Sequence, residues 1–223
     1  MTMPKEDMKA VRLLQGLENG SASVRLQAAL AIGTNPDPRL VDKLVERCAV
    51  EPEFYVRDAL TWALTRHSPS MVIAGLIDEI RESEHAQARS QALHTLSKIG
   101  DRRAWPAITR ELLTDADDEV ARSAWRAAVV LVPEGEKAEL AGVLATQFGR
   151  GERATRLSLS RALIGLGKVI SPVLRAATAD PDPRVRQHAI ATERLSRDPD
   201  AEFDFAIEEA KRIVLLGPES QER

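Results

Sequence analysis

Val24, Val56, Ala88 and Val120 recur at intervals of 32 residues without slippage. A fixed period of roughly 20–50 residues means stacked supersecondary units that bury their apolar faces against one another. Arg follows the anchor directly at Arg25, Arg57 and Arg89, and one place later at Arg122. Eight residues after the anchor come Ile32, Leu64, Leu96 and Ala128. Twelve residues before it come Arg12, Leu44, Leu76 and Ile108, continued by Leu140. Eight before it come Gly16, Cys48, Ile80 and Leu112, continued by Leu144. Apolar columns at helical spacing on both sides of a turn predict a unit of helix A, turn, helix B.

The punctuation fits that unit. Asp37-Pro38 and Ser68-Pro69 set an N-cap residue before a first-turn proline, and Asp101 can cap another A helix. Acidic doublets, Glu51 and Glu53, Asp115 and Asp117, Asp180 and Asp182, occupy the A-to-B turns, where carboxylates accept from the first N–H groups of helix B. Gly33 and Gly100 read as helix stops, and Pro106 as a kink in an A helix. After Val120 the period stretches to anchors at Thr155-Arg156 and Val185-Arg186, the extra residues falling in Gly149 to Arg153. The expectation is one domain over 1–223, with repeats at about 5–33, 37–66, 69–99, 102–131, 134–166 and 168–195. A C-terminal helix at 200–216 would cover the end of the array with Phe203, Phe205, Ile207, Ile213 and Leu216.

Composition narrows the class. Hydrophobic residues make up 43% and charged residues 29%, which excludes a disordered chain. The net charge of −3 supplies no global basic field for nucleic acid. The single Cys48 forms no intramolecular disulfide and anchors no cysteine zinc site, which fits a reducing, cytoplasmic setting. No run of about 18 apolar residues is long enough to span a membrane, and Met1 to Lys9 lack a signal-peptide core. Histidines 67, 85, 94 and 188 have no metal-ligand spacing, and Gly165-Leu166-Gly167-Lys168 lacks the spacing of a phosphate loop, so neither metal nor cofactor is expected.

A proline-bearing helix A, Ala-rich core columns and a helix B opening in Asp-x-Asp-x-x-Val-Arg resemble HEAT repeats. The best matches are Asp115-Asp117-Val120 and Asp180-Asp182-Val185-Arg186. The resemblance covers nearly all of residues 5–195 and is closest to bacterial HEAT-like proteins, including the phycobilisome lyase type. It implies an all-α fold, a right-handed α-α superhelix (a HEAT-like solenoid) of about six antiparallel helix pairs with the B helices on the concave side. It leaves the function open among scaffolds, lyases, hydroxylases and DNA-repair proteins. The iron-binding His-Glu pairs of the HEAT-like hydroxylases are absent, since Ser68, Ala86, Thr95 and Ala189 follow the histidines.

Two polar sets then stand out. Arg25, Arg57, Arg89 and Arg186 travel with the acidic turns and read as a structural ladder bonding turn carbonyls and carboxylates along the stack. The places two, six and ten after the anchor project away from the core. They bring Asp58, Trp62, Arg66, His94, Lys98, Arg122, Arg126 and Arg161 to the inner face. An aromatic flanked by Arg and Lys suits an acidic or planar partner. The leading expectation is a non-enzymatic module gripping an acidic protein or peptide. Nucleic-acid binding or base repair on the same stripe is the alternative, and a lyase acting on a bound tetrapyrrole the third. Trp125, Trp105 and Cys48 read as packing, and Gly149 to Arg156 as a surface loop.

Overall fold

The structure, a computed structural model, describes residues 5–198; the covering helix expected at 200–216 lies outside the described residues. It is all-α, with no strand among the described residues, and it has the paired helices of a HEAT-like repeat. The chain packs as two compact units, Met1–Leu140 and Ala141–Arg223.

In the first unit α1 (Lys5–Leu17) pairs with α2 (Ala22–Thr34), α3 (Val41–Val50) with α4 (Phe54–Thr65), and α5 (Pro69–Glu82) with α6 (Ala86–Ile99). The fourth pair joins α7 (Arg110–Leu113) to α8 (Asp118–Leu131). The B helices stack in order, α4 on α2, α6 on α4 and α8 on α6, while α3 packs on both α5 and α6. The sequence columns form the seams. Ile32, Leu64, Leu96 and Ala128 are buried, as are Leu44, Leu76 and Ile108, and each Leu or Ile removed from water contributes about 1.5–3 kcal/mol. Val56, Ala88 and Val120 are buried, but Val24 is 41% exposed, since among the described residues no B helix precedes α2 to cover that place. Cys48 is buried, and burial pushes its thiol up to about 11, so it stays neutral in the core.

Two local readings change. Gly33 lies buried inside α2, which runs on to Thr34, and is not a stop. A Cβ there would lie 2.3 Å from a Trp62 ring carbon and 3.0 Å from the Ala63 backbone, so close approach of α4 demands glycine. Pro106 does more than kink a helix. It sits in a 3₁₀ helix, Arg102–Ala107, and the α-helical part of that A segment shrinks to α7. Gly100 does end α6 in the left-handed region at φ +69°.

The acidic doublets share one geometry. The first carboxylate accepts from the N–H of the second acidic residue, as Asp115 does from Asp117 at 2.8 Å and Asp180 from Asp182 at 2.8 Å. Asp117 and Asp182 then cap α8 and the last described helix. Each post-anchor Arg turns back onto its own turn. Arg57 Nη1 donates to the carbonyls of Glu51 and Pro52 at 2.8 and 2.7 Å, and Arg25 and Arg89 repeat the contact with Asn19 and Gly20, and with Ser83 and Glu84. Arg25 also forks across to the next turn, with both bonds to Glu51 at 2.7 Å, and Arg89 reaches Asp115 at 3.3 Å. Glu51 has no exposed surface. Burial pushes its pKa up, but bonds from Arg25, the Glu53 N–H and Arg47 outweigh burial and hold it at about 2. In the fourth pair the Arg has slipped to 122 and Ala121 fills its place. Arg122 bonds Glu119 of its own helix, and its Nε is a buried donor without a partner.

Helix α9 (Lys137–Ala145) crosses the division between the units; α10 (Arg153–Gly165), α11 (Ser171–Thr178) and α12 (Pro183–Arg197) follow. Here α10 and α11 pack on α12. Arg186 holds the carbonyls of Asp180 and Pro181 at 2.7 and 2.8 Å, as the ladder arginines of the first unit hold theirs. Buried His188 closes the Gly149 turn. Its Nδ1 accepts from the Gly149 N–H at 3.0 Å, so the ring proton is on Nε2 and donates to Arg156 O at 2.9 Å. Ser160 bonds Thr192 at 2.7 Å, Thr192 donates to His188 O at 2.9 Å, and the Phe148 ring stands edge-on at 5.0 Å. Burial pushes the imidazole down to about 4, so it is neutral at physiological pH.

Candidate functional site

A groove of about 580 Å³ runs across α4, α6 and α8 of the first unit. One face of α6 lines its centre with Gln87, Ser90, Gln91 and His94, at spacings of three and four residues that put them on a single stripe. Phe54, Arg57 and Asp58 of α4 line one side, and Asp117, Glu119, Ser123 and Arg126 line the other.

The lining is held by hydrogen bonds whose direction follows from proton accounting. Thr95 Oγ1 donates to the Gln91 carbonyl at 2.9 Å, so the 3.3 Å bond between Thr61 and Thr95 is donated by Thr61. Thr61 Oγ1 is then left to accept from Gln91 Nε2 at 2.9 Å. Gln87 Nε2 donates to Glu51 O at 3.0 Å. Both carboxamides are thereby oriented by α4 and its turn. On the other side Ser90 Oγ donates to Glu119 O at 3.2 Å, so Ser123 donates to Ser90 at 2.9 Å and accepts from Arg126 Nη2 at 2.8 Å.

Of the residues the sequence singled out for this face, Asp58, His94 and Arg126 line the groove. Asp58 and Arg126 are exposed and His94 is half-buried. Burial pushes the His94 pKa down, Arg126 and Lys98 push it further, and Asp58 opposes them, so its imidazole is neutral between charges of both signs. The Arg126 pKa is also lowered, first by burial and then by Arg122, with Glu119 opposing. Trp62, Arg66, Lys98 and Arg122 do not line the groove. Trp62 lays a ring edge on Gly33 while remaining 41% exposed, so it is partly committed to packing. Arg66 and Lys98 are exposed. Arg161 is exposed on α10 of the second unit. Trp125 is buried, with Nε1 donating to Leu113 O at 2.8 Å.

Phe54, Gln87 and Gln91 belong to the groove without having been signalled. Phe54 is 74% exposed, with the Arg57 guanidinium 5.9 Å from its ring centre. Its position two residues before an anchor was the only available cue. Among the described residues no group of His, Cys, Asp and Glu is arranged to hold a metal, and no helix is long and apolar enough to cross a membrane.

The segment that builds the groove also carries the likeness to known proteins. No curated protein matches the chain. Residues 51–129, from the turn before α4 to the body of α8, match the family model of HEAT repeats, and that match supports a HEAT-repeat family for this chain.

Proposed function

We propose that the protein is a non-enzymatic binding module that holds a protein or peptide segment on the B-helix face of its first unit. HEAT repeats commonly serve as protein-interaction scaffolds. The observation that carries the reading is the groove itself, in which α6 and α8 present hydrogen-bonding side chains already held in orientation by Thr61, the Glu51 carbonyl and Ser123. Preorganised groups lose little entropy when a partner docks. Arg126, with Lys98 and Arg66 exposed on neighbouring helices, gives the face its attraction for acidic residues. The carboxylates of Asp58, Asp117 and Glu119 on the same lining favour a protein over a nucleic acid, because they repel a phosphate backbone. The setting proposed is the cytoplasm of a bacterial cell.

The test is capture from native lysate on immobilised wild type and on an Arg126→Glu/Lys98→Glu variant whose melting temperature is unchanged. Proteins retained by wild type and lost from the variant support the reading. An identical retained set sinks it, and retention abolished by nuclease moves the assignment to nucleic acid.

A further inference from the structure

The two walls of the groove differ in what they leave unbonded. On the α4 side, each glutamine donates one carboxamide N–H to α4 or its turn, through Glu51 O and Thr61 Oγ1, and its Oε1 has no partner among the described residues. Gln87 is exposed and Gln91 half-buried. Asp58 lies between Phe54 and Thr61 on one stripe of α4 and makes no hydrogen bond among the described residues. This side is therefore rich in acceptors. Arg57 spends Nη1 on two turn carbonyls, which leave its positive charge in place beside the Phe54 ring. On the α8 side, Arg126 has spent one Nη2 bond on Ser123 and keeps further donors, while Ser123 and Ser90 are consumed in the chain that ends at Glu119 O. Asp117 caps α8 and Glu119 pairs with Arg122, so both carboxylates are partly offset by donors of their own helix. His94 sits between the two sides, acted on by Asp58 from α4 and by Arg126 from α8, with Lys98 of its own helix adding to Arg126.

We propose that the groove is polarised and takes its partner segment in one direction: a Lys or Arg of the partner against Asp58 and the Gln87 and Gln91 oxygens, and an Asp or Glu of the partner against Arg126. This rests on the reading of the B-helix face as the binding surface and refines it, since the partner is dipolar there, not uniformly acidic. Helices packed about 8–10 Å apart set α4 and α8 roughly 16–20 Å apart, which an extended chain covers in about five residues at ~3.3 Å each. That is the expected separation of the partner's two charges.

The experiment selects random phage-displayed dodecapeptides on the full-length protein, on Asp58→Arg and on Arg126→Glu, then measures affinities of the selected peptides. Wild type is expected to enrich peptides with a basic and an acidic residue in one fixed order. Asp58→Arg weakens such a peptide about tenfold or more, and replacing the peptide's basic residue by Glu restores it. Arg126→Glu does the same for the acidic residue, rescued by Lys. Rescue pairs each wall with one charge of the peptide, which a general loss of fold does not do. Enriched peptides that bind equally well in reversed order, or losses that no peptide charge swap restores, overturn the polarity while leaving the binding surface standing. If wild type retains no peptide, both proposals fail.

Discussion

At the residue scale, Glu51 shows how much one buried carboxylate can depend on its partners. Arg25, Arg47 and the Glu53 N–H all bond to it in a place with no exposure. Glu51→Ala leaves the buried Arg25 without its carboxylate and is expected to cost about 3–5 kcal/mol in chemical denaturation, whereas Arg25→Met with Glu51→Leu recovers most of that loss. Its folded pKa of about 2 lies below the ordinary 4.5. The stabilisation it provides is therefore complete above about pH 4.5 and is lost as pH falls toward 2. His188 works with the opposite charge. Its folded pKa of about 4 lies below the ordinary 6.5, so the unfolded chain takes up a proton that the folded one refuses. Stability should fall as pH drops from about 6.5 to 4, and His188→Gln should flatten that part of a stability-against-pH curve. An unchanged slope in the variant would mean the Gly149 clasp does not titrate with the fold.

Between elements, the approach of α4 to α2 is set by what Gly33 lacks. Adding a Cβ puts it against both the Trp62 ring and the Ala63 backbone, so Gly33→Ala is expected to destabilise by about 1–3 kcal/mol, with partial relief in Gly33→Ala/Trp62→Leu. Thermal melts of the four proteins in that cycle test the coupling. The same contact shows where sequence reasoning runs short. Apolar columns predicted α2, α4, α6 and α8 because burial on one stripe of a helix has its own period. Gly33 near the end of such a stripe has two physical uses, stop and close approach, and only the position of Trp62 decides between them. His94 and Arg126 were reachable by counting from the anchors. Gln87 and Gln91 were not, because a carboxamide becomes a directed acceptor only once Glu51 and Thr61 stand next to it. The shortening of α7 was half legible: Pro106 announces a break, but not that the preceding turn becomes 3₁₀.

For the molecule as a whole, the groove draws every lining residue from the first unit. A fragment of residues 1–145, which keeps α9 whole, should fold cooperatively and bind the selected dodecapeptides with wild-type affinity; circular dichroism melts and titration calorimetry check both. A folded fragment that has lost the peptides would show that the second unit contributes to binding. The ladder arginines carry a consequence of another kind. Each reaches five and six residues back to its own turn, and Arg25 and Arg89 reach 26 residues ahead to the next acidic turn. Both reaches fit within one period. If residues 57–88 were excised, Val56 would be followed by Arg89, and the Arg25–Glu51 and Arg89–Asp115 offsets would be untouched. Loss or gain of one whole period thus leaves both kinds of reach at their present spacing. A one-codon slip between Arg25 and Glu51, in contrast, would misplace a carboxylate that the core cannot leave unpaired.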